Sequence, residues 1–298
     1  MNLLVTGAWQ DAKAYLEELE RMGHQVRFLQ FEKDALPCPA EWVEGVICNG
    51  LFLSHPIEMF VNLKYIQITS AGFDRIPMDY VKSHNIEIRN ARGVYSIPMA
   101  EFAICGVLQL YKQSRFFAEN QKRHSWEKHR GLMELFGKNV CIVGCGSVGT
   151  ECAKRFRAFG CHVLGVDLYP RADENYDRMT DLSGLDEAVG SADVVVLTLP
   201  LTGETYHLMN ADRLQKLKPT AILVNIARGA VVDTNALVSV LPHIGGAVLD
   251  VFEEEPLDSA SPLWDAENAI ITPHNSFAGE GNGERLTTVV LNMLKGLK

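Results

Sequence analysis

Val140-Cys141-Ile142-Val143-Gly144-Cys145-Gly146-Ser147-Val148-Gly149 sets a run of β-formers directly before three glycines spaced G-x-G-x-x-G. A helical pattern follows over Ser147–Phe159, closed by Gly160, and a second β-rich run occupies His162–Asp167. Strand, glycine turn, helix and strand in this order form a parallel nucleotide-binding unit. Gly144 makes the tight turn, Gly146 leaves room for backbone to approach a pyrophosphate, and Gly149 lets the helix lie close to the sheet. The helix start at Ser147 and Val148 offers unpaired N–H groups and a positive dipole end to phosphates. Asp167 stands 18 residues after Gly149. A carboxylate there accepts hydrogen bonds from both ribose hydroxyls and repels a 2′-phosphate, so NAD is expected ahead of NADP. Arg171, four residues on, carries the charge that would suit such a phosphate and leaves strictness open. A glycine turn without a nucleotide is the plain alternative.

Working outward, the chain has 298 residues, enough for two domains that each bury a core. With 28 Lys+Arg against 37 Asp+Glu, the net charge of −9 disfavours a nucleic-acid partner, which needs a basic footprint. No apolar run is long enough to span a bilayer and no secretory signal is visible, so neither membrane nor secretion is expected. The seven cysteines form no CxxC pair and no zinc spacing, so no metal is expected. Reduced thiols in a cytoplasm are the expectation. The four cysteines between positions 141 and 161 read as small buried side chains.

Upstream, β-rich runs at Leu3–Thr6, Gln25–Leu29, Gly45–Cys48, Tyr65–Thr69 and Ile86–Arg89 alternate with helical patterns at Ala12–Met22 and Met78–Ser83. That alternation predicts a second parallel sheet covered by helices, without a phosphate fingerprint. From Pro98 to about Lys122 the pattern predicts one long helix. It is apolar around much of its surface, so it is buried against another domain or another copy of the chain. Downstream, further strands are expected at Val194–Leu199, Ile222–Ile226, Ala247–Asp250 and Ala269–Thr272.

Three of these later strands end in charged or titratable residues: Ile226-Ala227-Arg228-Gly229, Asp250-Val251-Phe252-Glu253-Glu254-Glu255-Pro256, and Thr272-Pro273-His274. Open parallel sheets bind ligands at strand C-termini. Arg228 can fork onto the carboxylate of a 2-oxo acid and polarise its carbonyl. His274 can give a proton to the forming alkoxide, with Glu255 holding the imidazole. Taken singly, each has a plainer reading: a surface ion pair, a loop histidine and a solvated acidic turn.

Their order and wording resemble the D-isomer-specific 2-hydroxyacid dehydrogenase family. The resemblance rests on Val224-Asn225-Ile226-Ala227-Arg228-Gly229-Ala230-Val231-Val232-Asp233, on Leu249-Asp250-Val251-Phe252 through Glu255-Pro256-Leu257, and on Thr272-Pro273-His274. Ser70-Ala71-Gly72-Phe73-Asp74 and Leu199-Pro200-Leu201-Thr202 with Glu204-Thr205 add to it, and it covers nearly the whole chain. It implies an α/β fold of two Rossmann- or flavodoxin-like doubly wound parallel-sheet domains with a cleft between them. Residues 1–97 and the C-terminal helix in 276–298 would form the substrate-binding domain, with an NAD-binding domain over 98–275 that usually dimerises. It further implies that Arg228, Glu255 and His274 are catalytic and that Ala71 and Gly72 give backbone donors to the substrate carboxylate. Thr198, Leu199, Pro200, Thr205 and Ile226 would line the cofactor, and Asp250 would contact its carboxamide. Asn275 and Phe277 depart from the family's smaller residues, and the stretch around Leu241-Pro242-His243 is slightly short.

The resemblance also places Asn49-Gly50-Leu51-Phe52 toward the substrate side chain. That stretch has no Arg or Lys, so a small or apolar 2-oxo acid is expected rather than a phosphorylated one. The alternatives are an NADH-sensing regulatory protein on the same fold and a dehydrogenase of an unusual donor such as phosphite.

Overall fold

The computed structural model describes residues 1–296, which divide into two compact units: Met1–Tyr95 with the chain from Gly279 onward, and Ser96–Ala278. In the first unit β1 (Asn2–Thr6), β2 (Gln25–Leu29), β3 (Gly45–Cys48), β4 (Tyr65–Ile68) and β5 (Glu87–Arg89) form an all-parallel sheet. Their order, β2-β1-β3-β4-β5, is the flavodoxin-like doubly wound one. α1 (Ala12–Arg21) and α2 (Met78–Ser83) connect them. The inner strands β3 and β4 are buried throughout and read as near-continuous apolar runs, while the edge strands β2 and β5 are partly exposed.

The second unit opens with α3 (Ser96–Tyr111) and α4 (Ser114–Lys122), where the sequence pattern predicts a single helix. Gln113 breaks it with φ +53°. Tyr111 is buried, Lys112 Nζ donates to Met133 O at 2.7 Å and Arg115 Nη1 donates to Glu267 O at 3.1 Å. These contacts anchor the chain on either side of Gln113.

β6 (Asn139–Val143), α5 (Ser147–Ala158), β7 (His162–Val166) and the short edge strand β8 (Arg178–Thr180) follow. Then come α6 (Leu185–Ser191), β9 (Val194–Leu197), α7 (Ala211–Leu214), β10 (Ile222–Asn225), α8 (Thr234–Val240), β11 (Gly246–Leu249) and β12 (Ala269–Ile271). All pairings are parallel in the order β12-β11-β10-β9-β6-β7-β8, so the topology reverses between β6 and β9. Alternate residues feed two cores. Val143, Leu197, Leu223 and Leu249 pack on one face, and Ile142, Val196, Val224 and Val248 pack on the other with α3 and α5.

α9 (Asn282–Lys295) returns to the first unit. Leu286, Val290 and Leu294 join its core, and Trp9 Nε1 donates to the buried Thr287 Oγ1 at 2.9 Å. Cys141, Cys145, Cys152 and Cys161 are all buried. Burial pushes their thiols up, to about 12 for the first three and about 11 for Cys161, which keeps them un-ionised.

Candidate active site

The glycine turn sits at the reversal of the second sheet, where such folds hold ligands. Gly144 has φ +96°, and a Cβ there would meet Leu199 N at 2.7 Å. At Gly149 a Cβ would overlap Gly144 O and come within 3.1 Å of Thr198 Oγ1. Thr198 Oγ1 itself donates to Gly144 O, at 2.5 Å, bracing the turn from β9. Nothing lies within 4 Å of a Cβ placed on Gly146, so this side of the turn is open ahead of the N-terminus of α5. Ser147 and Val148 are half-buried there.

Asp167 directly follows β7, and its carboxylate accepts the Cys145 N–H at 2.7 Å and the Tyr169 N–H at 3.0 Å. The acid therefore lies against the glycine turn, with lone pairs left for further donors. Arg171 is exposed. Leu199, Thr205 and Ile226 are buried, while Pro200 is exposed. Thr205 Oγ1 accepts the Thr202 N–H at 2.7 Å and donates to Pro200 O at 2.8 Å, fixing the loop after β9. The residues present fit a dinucleotide: an open turn, a helix N-terminus and a carboxylate beside them.

Arg228, Asp250 and His274 follow the adjacent strands β10, β11 and β12. The half-buried Arg228 donates from Nη1 to Ala227 O at 2.7 Å. Asn225 Nδ2 donates to Arg228 O at 3.1 Å, holding its backbone. Gly229 lies so close to the next segment that a Cβ there would overlap the carbonyl of Phe252 and the nitrogen of Glu253. The arginine segment and the acidic segment are thus pressed backbone to backbone.

His274 Nδ1 and Glu255 Oε2 are 2.8 Å apart, with both side chains partly exposed. The other carboxylate oxygen, Oε1, accepts the Phe252 N–H at 3.0 Å, so Glu255 is oriented before it meets the ring. The His274 backbone has φ +52°, an uncommon conformation for a residue with a Cβ. It is held by its N–H, which donates to Asp250 O at 2.8 Å and Thr272 O at 3.0 Å.

Asp250 is fully buried and spends its carboxylate on the same loop. It accepts from Thr272 Oγ1 at 2.6 Å, Asn275 N–H at 2.7 Å and Ser276 N–H at 2.9 Å. These bonds make the Asp250 carboxylate an anchor of the His274 loop, and Oδ2, with a single donor, keeps a lone pair for another. Asn275 enters this network through its backbone, and Phe277 sets its ring edge-on to His274 with centroids 6.2 Å apart.

Ala71 and Gly72 belong to the first unit. Their carbonyls are taken by Asn90 Nδ2 at 2.6 Å and Ser70 Oγ at 3.0 Å, while their N–H groups have no partner among the described residues. Sequence reading missed Glu32, whose carboxylate accepts from Thr6 Oγ1 at 2.8 Å, Asn49 N–H at 2.7 Å and Gly50 N–H at 2.6 Å. It organises the loop after β3, and no local periodicity marks it. Arg75 Cδ lies 3.8 Å from a Cβ position on Gly50, so a cation does approach this loop from outside its own stretch of sequence.

Residues 104–276 match the family model described as D-isomer specific 2-hydroxyacid dehydrogenase, NAD binding domain. The chain belongs to this family. The glyoxylate reductase of Thermofilum pendens is 38% identical over 251 residues, spanning 82% of this chain and 72% of that one. The D-lactate dehydrogenase of Aquifex aeolicus, solved with NAD and lactic acid, superposes with a TM-score of 0.79 at 26% identity, covering 99% and 95% of the two chains. A D-isomer specific 2-hydroxyacid dehydrogenase from Xanthobacter autotrophicus Py2, solved with NADPH and MES, gives 0.81 at 28% identity, covering 100% and 95%. This dehydrogenase is therefore an NAD-dependent oxidoreductase that interconverts a 2-oxo acid and a 2-hydroxy acid. Among its described residues no helix is long and apolar enough to cross a membrane.

Proposed function

We propose that the enzyme reduces a small 2-oxo acid of about the size of glyoxylate, reversibly, to its D-2-hydroxy acid, with Arg228, Glu255 and His274 as the reacting groups. The 2.8 Å pair of His274 and Glu255, on strand ends next to that of Arg228, carries this reading. Bound NAD(H) supplies or accepts the hydride. The Arg228 guanidinium forks onto the substrate carboxylate and carbonyl oxygen, an arrangement that an ammonium cannot reproduce. The N–H groups of Ala71 and Gly72, without a partner among the described residues, suit a substrate carboxylate.

In reduction, the His274 imidazolium gives its Nε2 proton to the oxygen on which charge develops, while Nδ1 stays with Glu255. In oxidation the neutral ring takes that proton back. Gly144, Gly146, Ser147, Val148 and Gly149 would hold the pyrophosphate, Asp167 the ribose, and Thr198, Leu199, Pro200, Thr205 and Ile226 the nicotinamide side. Asp250, which fixes the His274 loop, would contact the carboxamide.

The relatives named glyoxylate reductase support the small substrate, as does the absence of Arg and Lys from 49–52. The proximity of Arg75 makes a substrate with a second anionic group the informative competitor. Oxidation of NADH and NADPH is to be followed with glyoxylate, pyruvate, hydroxypyruvate, phosphohydroxypyruvate and branched 2-oxo acids. Glyoxylate or pyruvate with NADH is expected to give the highest kcat/KM. A clear preference for phosphohydroxypyruvate overturns the small-acid assignment, and an equal rate with NADPH overturns the role given to Asp167. NADH binding without turnover of any acid would favour a sensor.

The proposal includes a cytoplasmic homodimer. Seven unpaired thiols suit a reducing compartment. A shallow groove on α3 and α5, with Ile104, Cys105, Leu108 and Phe159 along it, gives an apolar face for a second copy. Light scattering is expected to report twice the chain mass of 33.1 kDa, and a monomer at micromolar concentration rules the dimer out.

A further inference from the structure

We infer that His207 and Glu253 form a positioning dyad that holds the Arg228 and Glu255 segments in their working arrangement. The inference rests on the reading that these two residues act in the reaction.

Glu253 joins three separate stretches of chain. Its Oε2 lies 2.9 Å from His207 Nε2, and its Oε1 accepts the Thr234 N–H at 2.9 Å, at the start of α8. Its own backbone nitrogen lies against Gly229, directly after Arg228. The residue before it, Phe252, gives the N–H that orients Glu255. Fixing the Glu253 side chain therefore fixes both the peptide behind Arg228 and the donor that aims Glu255 at His274.

His207 is itself held from several sides. Its N–H donates to Ala230 O at 2.8 Å, its ring stacks on Tyr206 with centroids 4.1 Å apart, and Nδ1 lies 4.0 Å from Asp233 Oδ2. Asp233 in turn accepts the Ala236 N–H at 3.0 Å and caps α8. The His207 backbone has φ +47°. A residue with a Cβ persists there when its surroundings over-determine it, and such residues gather at functional sites.

Glu253 is suited to accept. Partial burial pushes its carboxyl up, but the hydrogen bonds from Thr234 and His207 outweigh this and hold it below the usual carboxylate range. Because the ionised carboxylate only accepts, Nε2 of His207 must carry the proton. A donor at the Nε2 position is then what the dyad requires, and neither a full imidazole nor its titration is needed.

The test compares His207→Phe, His207→Gln, Glu253→Ala and, as a control, His274→Ala. Phenylalanine keeps the stacking on Tyr206 but loses the donor, whereas the glutamine amide restores an N–H near Nε2. In the intact enzyme, His207→Phe and Glu253→Ala are expected to lower kcat about tenfold to a hundredfold, the scale of an ångström-sized misplacement. KM for NADH is expected to stay within about twofold, and His207→Gln to recover most of kcat. Loss of fold alone would lower the active fraction and Tm with kcat per active site unchanged, so sites are counted by NADH titration. Unchanged kcat in His207→Phe and Glu253→Ala, with His274→Ala inactive, overturns the dyad and leaves the reacting residues standing. Equal losses in His207→Phe and His207→Gln also overturn it. Full turnover by His274→Ala overturns the site reading on which the dyad depends.

Discussion

Replacing His274 with alanine is expected to lower kcat in both directions by about 10²–10⁴-fold, the usual contribution of a positioned acid–base group. NADH affinity and Tm should change little. His274 touches Glu255 and Phe277 but belongs to neither of the sheet's two cores. Its loop is held by the buried Asp250 through backbone N–H groups and Thr272, so the fold does not rely on the ring. The positive φ at this position is better tolerated by asparagine than by most residues, so His274→Asn is the matched variant. It should be as inactive as alanine, because its short amide cannot exchange the proton.

The pH profile gives the same expectation a sign. Reduction consumes the imidazolium, so its rate should fall as pH rises. Oxidation consumes the neutral ring, so its rate should rise with pH. Stopped-flow measurement of NADH loss and formation checks both limbs. Identical trends in the two directions, or kcat retained by both variants, remove His274 from the chemistry.

Much of this site was legible in the sequence because its parts are local. The glycine spacing, the acid at the next strand end and the three charged strand termini each occupy a short stretch and depend on strand-end placement. What the sequence concealed is tertiary. The break at Gln113 depends on Lys112 and Arg115 finding carbonyls 21 and 152 residues away. β8 is a three-residue edge strand, too short to show alternation. Asp250 was visible as an acid after a strand, but only the folded loop reveals that it accepts backbone N–H groups from 275 and 276. Glu32 and His207 carry no motif. Their meaning comes from partners 18 and 46 residues distant, Gly50 and Glu253. Arg75, likewise, reaches a loop that has no cation of its own.

Gly229→Ala is expected to damage the enzyme without touching any reacting side chain. A Cβ at this position would overlap the carbonyl of Phe252 and the nitrogen of Glu253, which are backbone atoms and cannot swing aside as a flexible side chain does. One of the two segments must therefore move. Overpacking of this kind costs about 1–3 kcal/mol, and occasionally more. In a unit of this size that should lower Tm by about 2–4 °C per kcal/mol. The functional loss should be larger. The displaced peptide follows Arg228 on one side and includes, on the other, the segment whose Phe252 N–H aims Glu255. Misplacement by an ångström costs about a hundredfold, so kcat/KM for the 2-oxo acid should fall by at least that factor. NADH binding should survive, because the Gly144–Gly149 turn lies on the far side of β9 from β10. Gly203→Ala is the comparison: nothing lies within 4 Å of a Cβ there, so Tm and kcat/KM should stay near those of the unmodified enzyme. If Gly229→Ala is as active as Gly203→Ala, the close backbone contact does not set the geometry of Arg228 and Glu255. A hundredfold loss with NADH still bound would mean that the spacing of two main-chain segments, held open by one absent methyl group, is part of the catalytic arrangement.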